Sequence, residues 1–256
     1  SILNFYGSPG TGKTLTAEAF AGRLGLPIIK LGIAEIESKL MGETSKNIQQ
    51  AFADAHTQNA VLFFDEADTL LGKRLSSVTQ GVDNEVNAMR STMLIELEKF
   101  NGIVIFATNF AKNYDEAFRS RITYHVEFVL PEYETRKLLW SKMLVSRIPL
   151  ADNRQGIIEK CAEASEGFSG REIRTCMRIA LPKVLVEAEQ LSISPLLDFA
   201  HLHAAIENVK RAQREVGSNL RDKTSRQRAV ENANTARNLL GVKKEIPESQ
   251  DLINGQ

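Results

Sequence analysis

Residues 7–14 read "GSPGTGKT", between the apolar run "ILNFY" (2–6) and the helical pattern "TLTAEAFAGRL" (14–24). The stretch fits G-x-x-x-x-G-K-[ST] in full and has the strand–turn–helix setting which that pattern requires. Glycines let the backbone curl so that successive N–H groups face one anion. The helix that follows presents its positive end to the same point. Gly7, Ser8, Pro9, Gly10, Thr11, Gly12, Lys13, Thr14 and Leu15 are therefore expected around a nucleotide phosphate. Lys13 supplies a full positive charge at the β- and γ-phosphates. Thr14 supplies a hydroxyl to Mg²⁺, a cation that prefers hard oxygen ligands.

Working outward, "AVLFFDEAD" (60–68) is a second apolar run that ends in acid. Asp65 follows the run, so it emerges at the carboxyl end of a buried strand, where ligands bind in open α/β sheets. A carboxylate there can hold Mg²⁺ together with Thr14, and Glu66 beside it can polarise an attacking water. Asp68 reads as the cap of the next turn. "GIVIFATN" (102–109) delivers Thr108 and Asn109 at the end of a third buried strand, where the amide of Asn109 can orient water against Glu66. "FRSRI" (118–122) places Arg119 and Arg121 just before a further strand. They are either surface charges or arginines that reach a neighbouring subunit's phosphate.

The runs at 2–6, 27–31, 60–64 and 102–108 alternate with helical patterns at 14–24, 46–55 and 85–100. "ITYHVEFVL" (122–130) alternates with period two, which predicts an edge strand with one dry and one wet face. The expected class is α/β: a parallel five-stranded sheet with helices on both faces. After Pro131 only helical patterns remain, over 133–147, 153–165, 169–190 and 196–212, with a kink expected at Pro182. Ser169 and Glu172 have capping-box spacing. The expected division is an α/β nucleotide-binding domain over 1–130, a small helical domain over 131–212 and a polar extension over 213–256 that is helical or partly disordered.

Composition narrows the function classes. Among 256 residues, 32 Lys and Arg balance 32 Asp and Glu, which argues against a generally basic nucleic-acid binder. No apolar run approaches a membrane span. The opening "SILNFYG" lacks the charged and apolar regions of a signal peptide. Cys161 and Cys176 have no CxxC spacing and read as reduced core thiols. A soluble cytoplasmic protein is expected.

In combination, "GSPGTGKT", "SKLMGETS" (38–45), "FFDEAD" (63–68), "IFATN" (105–109) and "SEGFSGREI" (165–173) resemble, in that order, the AAA ATPases. The resemblance runs from Ser1 to about Lys210. It implies an AAA+ sheet domain followed by a helical lid, with ATP and Mg²⁺ bound between subunits of a homohexameric ring. A protein client, reached through a central pore and in some members by an adaptor, is implied as the partner. Asn109 corresponds to sensor 1. Leu40, Met41 and Gly42 take the place of the first pore loop, without the aromatic residue many members carry. The usual G-R-F-D ending of the second homology region is replaced by "AFRSRITYHVEF" (117–128), so Arg121 is favoured as the arginine finger and Arg119 is the second candidate. Arg171 stands where many members have Ala and is a candidate sensor 2. Many members carry a recruiting segment ahead of the first strand, where this sequence begins.

The implied activity is ATP hydrolysis coupled to remodelling or disassembly of a protein. Two alternatives stay open: a remodeller of HORMA-domain checkpoint proteins, and a nucleic-acid machine such as a clamp loader, initiator or helicase. The altered 117–128 ending points away from katanin and spastin.

Overall fold

The structure, a computed structural model, describes residues 1–33, 44–72, 80–109 and 114–215, with only the backbone of 80–85. Five strands form one parallel sheet: β1 (Ile2–Gly7), β2 (Ile28–Gly32), β3 (Val61–Asp65), β4 (Val104–Thr108) and β5 (Tyr124–Phe128). Their order is β2-β3-β4-β1-β5. The helices between them are α1 (Lys13–Leu24), α2 (Thr44–Gln58), α3 (Asp68–Leu71), α4 (Gln80–Lys99) and α5 (Glu116–Arg119).

Alternate residues of the inner strands feed two cores, as the pleat requires. Leu62 and Phe64 of β3 join Ile48 and Phe52 of α2 and Met89, Met93 and Leu97 of α4 on one face. Val61 and Phe63 point the other way and meet Phe5, Ala17 and Ala21. Both faces of β3 and β4 are thus dry, which is why their sequences are continuously apolar.

β5 is an edge strand, as its alternation predicts, and among the described residues it pairs only with β1. The dry face expected over 122–130 is only partly present: Ile122 just ahead of the strand is buried, but the middle of the face is wet. Tyr124 is 59% and Val126 37% exposed. Only Phe128 reaches a core, packing at 5.1 Å on Phe5.

The described residues form four further helices, α6 (Tyr133–Met143), α7 (Arg154–Ala164), α8 (Gly170–Leu191) and α9 (199–215). They build a separate core around Trp140, Ile158, Phe168, Ile173 and Ile206. The Trp140 indole donates to Ser165 Oγ at 2.9 Å, and that hydroxyl donates to the Cys161 carbonyl at 2.6 Å. Arg136 is buried without a carboxylate: its Nε donates to the Ala162 carbonyl at 2.8 Å and its Nη1 to that of Pro131 at 2.9 Å. α6 ends at Met143, four residues short of the expected boundary, and α8 continues through Pro182. The capping box of α8 is formed, with Ser169 and Glu172 each bonding the other's end of the turn. Among the described residues no helix is long and apolar enough to cross a membrane.

Candidate functional site

Three adjacent strands, β3, β4 and β1, end side by side, and their carboxyl ends carry Asp65, Thr108 and Gly7. The turn after β1 runs through Gly7, Gly10 and Gly12 at φ of 141°, 79° and 101°. All three lie in the left-handed region that side chains avoid, so the curl depends on glycine. Gly7 is additionally pressed against β5: a Cβ there would stand 2.1 Å from the Phe128 carbonyl oxygen. Gly12 is the N-cap residue of α1, so Lys13 and Thr14 begin the helix at the head of the turn.

Lys13 is buried and its ammonium has three acceptors: the Gly7 carbonyl at 2.7 Å, the Ser8 carbonyl at 3.0 Å and Asn109 Oδ1 at 3.2 Å. Burial pushes its pKa below the ordinary lysine range; Asp65 and Asp68 pull it back up, and Arg171 adds to the lowering. The Thr11 hydroxyl closes the turn by donating to the Ser8 carbonyl at 2.7 Å. Ser8 and Pro9 are exposed at the rim, and Leu15 points outward at 64% exposure.

The Thr14 hydroxyl donates to Asp65 Oδ2 at 3.1 Å. A hydroxyl and a carboxylate meeting at the head of a phosphate-type turn suit Mg²⁺, which takes few protein oxygens and leaves its other positions to water and phosphate. The donor set therefore fits the cation.

Glu66 is exposed and sits in the left-handed region at φ 54°. Its neighbours hold it there. Its own N–H donates to Asp65 Oδ1 at 2.9 Å, and the next residue, Ala67, donates to the Ala107 carbonyl at 2.9 Å. A strained conformation persists when the surroundings over-determine it. Asp68 does not cap its turn. The residue before α3 is Ala67 with no side-chain cap, and Asp68 Oδ1 instead accepts the main-chain N–H of Asn109 at 2.9 Å. Sequence inspection misses this bond because its partners are 41 residues apart.

The other candidates lie around this centre. Arg171, at the start of α8, donates its main-chain N–H to the Gly10 carbonyl at 3.4 Å, and its side chain is exposed. A Cβ on Gly10 would stand 2.6 Å from Ser169 Oγ, so α8 abuts the glycine turn directly. Arg121 Nη1 donates to the Ala117 carbonyl at 2.8 Å, and its Nη2 pairs with Glu98. Arg119 is exposed and pairs with Glu116 at 3.3 Å. Neither arginine's recorded partner belongs to the glycine turn. Leu40, Met41 and Gly42 lie outside the described residues.

Comparison with known proteins gives this geometry a context. The family model described as "ATPase family associated with various cellular activities (AAA)" matches residues 3–130. Spastin of Drosophila melanogaster is 29% identical over 230 residues, covering 84% of this chain and 29% of the spastin. An uncharacterized AAA family ATPase of Sinorhizobium fredii is 33% identical over 189 residues, 73% of this chain and 55% of that protein. The chain thus spans less than two thirds of either relative. The crystal structure of the FIGL-1 AAA domain in complex with ADP has the same fold, with a TM-score of 0.68 at 24% identity, covering 81% of this chain and 71% of that one. Spastins stand among the relatives beside a putative 26S proteasome regulatory subunit homolog of Methanothermobacter thermautotrophicus, 30% identical over 199 residues, 77% of this chain and 53% of that protein. Matched by the family model over residues 3–130, and folded as the FIGL-1 domain is, this chain belongs to the AAA family of ATPases.

Proposed function

We propose that this chain is the ATP-hydrolysing subunit of a cytoplasmic ring, assembled as a homohexamer, that remodels or disassembles a protein client through its central pore. The observation that carries the reading is the convergence of Lys13, Thr14, Asp65 and Asn109, joined by hydrogen bonds, at the carboxyl ends of three adjacent strands.

Lys13 and the main-chain amides of residues 8–14 bind the phosphates of ATP. Thr14 and Asp65 hold Mg²⁺, which when bound supplies positive charge at the phosphate oxygens. Glu66 accepts a proton from the attacking water, and Asn109 orients that water. Arg171, carried on the first turn of α8, faces the same phosphates from the helical side. Arg121 or Arg119 reaches the neighbouring subunit's nucleotide and stabilises charge on the transferred phosphoryl group. Arg121 would first leave Glu98, whereas Arg119 would leave only an exposed pair. Residues 131–212 act as the lid on the 1–130 domain, and Leu40, Met41 and Gly42 contact the client. The balanced charge supports a protein client over a nucleic acid.

Glu66→Gln tests the chemistry: ATP binding persists while turnover falls by about a hundredfold or more. Normal turnover in that variant removes the assignment. Mixing Arg121→Ala or Arg119→Ala subunits with Glu66→Gln subunits tests the ring. The true finger is the one whose mixture regains turnover through hybrid interfaces.

A further inference from the structure

Asp68 is three residues beyond Asp65 and belongs to neither the glycine turn nor the Mg²⁺ pair. Its carboxylate nevertheless reaches across to β4 and takes the N–H of Asn109 at 2.9 Å. The surrounding chain is laced at several points. Ala67 N–H donates to the Ala107 carbonyl at 2.9 Å, Asp115 N–H to the Leu71 carbonyl at 2.8 Å, and Gly72 bridges to Tyr114. α3 is therefore fixed to β4 ahead of Asp68 and to residues 114–115 beyond it, and the carboxylate has little freedom to leave Asn109.

Asn109 is held twice, by different groups and at different atoms. Asp68 holds its main chain, and Lys13 holds its side-chain oxygen at 3.2 Å. A phosphate entering the glycine turn competes for the Lys13 ammonium, and a dianionic oxygen is a stronger acceptor than an amide. Lys13 then moves from Asn109 to the phosphate. The amide side chain is freed at that moment, and Asp68 keeps its backbone in place.

We infer that Asp68 is a positioning residue for the hydrolytic step: it clamps the Asn109 main chain so that the side chain released by Lys13 faces the attacking water. The inference rests on the proposed role of Asn109. Asp68 acts on the hydrolytic step through Asn109, and its charge also offsets the burial of Lys13. A displacement of about 1 Å at such a group is enough to cost a large factor in rate.

The test uses the full chain with ATP turnover, the Kd of a fluorescent ADP analogue and the amide exchange rate of Asn109. Asp68→Ala should lower kcat by about tenfold or more with Kd changed less than about threefold, and should speed exchange at the Asn109 amide. Asp68→Asn keeps an oxygen that accepts the same N–H and should recover most of the lost turnover. It also serves if Asp68→Ala does not fold. Asn109→Ala should lose turnover, and adding Asp68→Ala to it should cost little more. If Asn109→Ala is inactive while Asp68→Ala turns over normally, the clamp is wrong and the role of Asn109 stands. If Asn109→Ala is itself fully active, both fall. Equal loss of kcat and nucleotide affinity in Asp68→Ala, with no recovery in Asp68→Asn, makes Asp68 part of the phosphate site and also overturns the clamp.

Discussion

Gly10 and Arg171 touch through their main chains, the Arg171 N–H donating to the Gly10 carbonyl at 3.4 Å. The contact joins the glycine turn to the first turn of α8. Gly10 has φ 79°, and a Cβ on it would come within 2.6 Å of Ser169 Oγ and 2.7 Å of Arg171 Cβ. Gly10→Ala therefore combines left-handed strain of about 1–2 kcal/mol with a push against α8. A lower denaturation midpoint and at least about tenfold weaker nucleotide affinity are expected. Gly22, an exposed helical residue with open space around its Cβ position, is the control. Gly22→Ala should gain about 0.5–1 kcal/mol in the same denaturant titration.

Glu66 carries strain for the sake of its side chain. Replacing it by Gly removes the left-handed penalty of about 1–2 kcal/mol but loosens the unfolded chain by about 0.4–1 kcal/mol. Glu66→Gly should thus be more stable by about 0.5–1 kcal/mol and inactive. Glu66→Gln should be equally inactive with no gain in stability. Chemical denaturation of the two variants side by side measures the difference.

Much of this centre is legible in the sequence, because the glycine turn and the acids after "AVLFF" sit at the ends of apolar runs. Bonds between distant segments are not legible. Asp68 meets Asn109 only because β3 and β4 are neighbours in the sheet, and nothing local to either residue signals it. The start of α4 fails differently: residues 80–84, "QGVDN", hold one large apolar residue, so the helix begins ahead of its visible stripe. β5 shows a third kind of miss. Its alternation marks an edge strand, yet alternation cannot tell whether anything covers the apolar side.

Arg136 is a charged residue that is buried and bonded to the Ala162 and Pro131 carbonyls. Ala162 lies in the last turn of α7, where the helix dipole favours a cation. Arg136→Ala leaves two carbonyls unpaired and should cost about 3 kcal/mol. Arg136→Lys should restore only part of it, since one ammonium cannot reproduce the guanidinium's fixed fork. Thermal unfolding with and without nucleotide is the readout.

Burial pushes the thiols of Cys161 and Cys176 up to about 12, from an ordinary 9.0. A second influence adds to burial at each: Cys176 raises Cys161 further, and Glu172 raises Cys176 further. Folding therefore favours the protonated thiols. That contribution is complete below about pH 9 and fades as pH rises toward about 12, by about 1.4 kcal/mol per pH unit for each thiol. Stability should fall between about pH 9 and about pH 11 in the parent chain and fall less in a Cys161→Ala/Cys176→Ala variant. A thiol reagent at neutral pH should label neither cysteine until the chain is unfolded.

The position of β1 between β4 and β5 bears on how the molecule is made. Ile2 pairs with Val104 and Leu3 with Tyr124, so the strand that leads into the glycine turn finds both its neighbours more than a hundred residues later. During synthesis it waits without a neighbour until the chain has been extended past Thr108, and its second edge stays open until Phe128 has followed. Pairings this remote close slowly, since the loop entropy is spent before the contacts form. The sheet beside the phosphate cradle is thus completed last, and a ribosome-bound chain that ends before about residue 130 should not retain nucleotide.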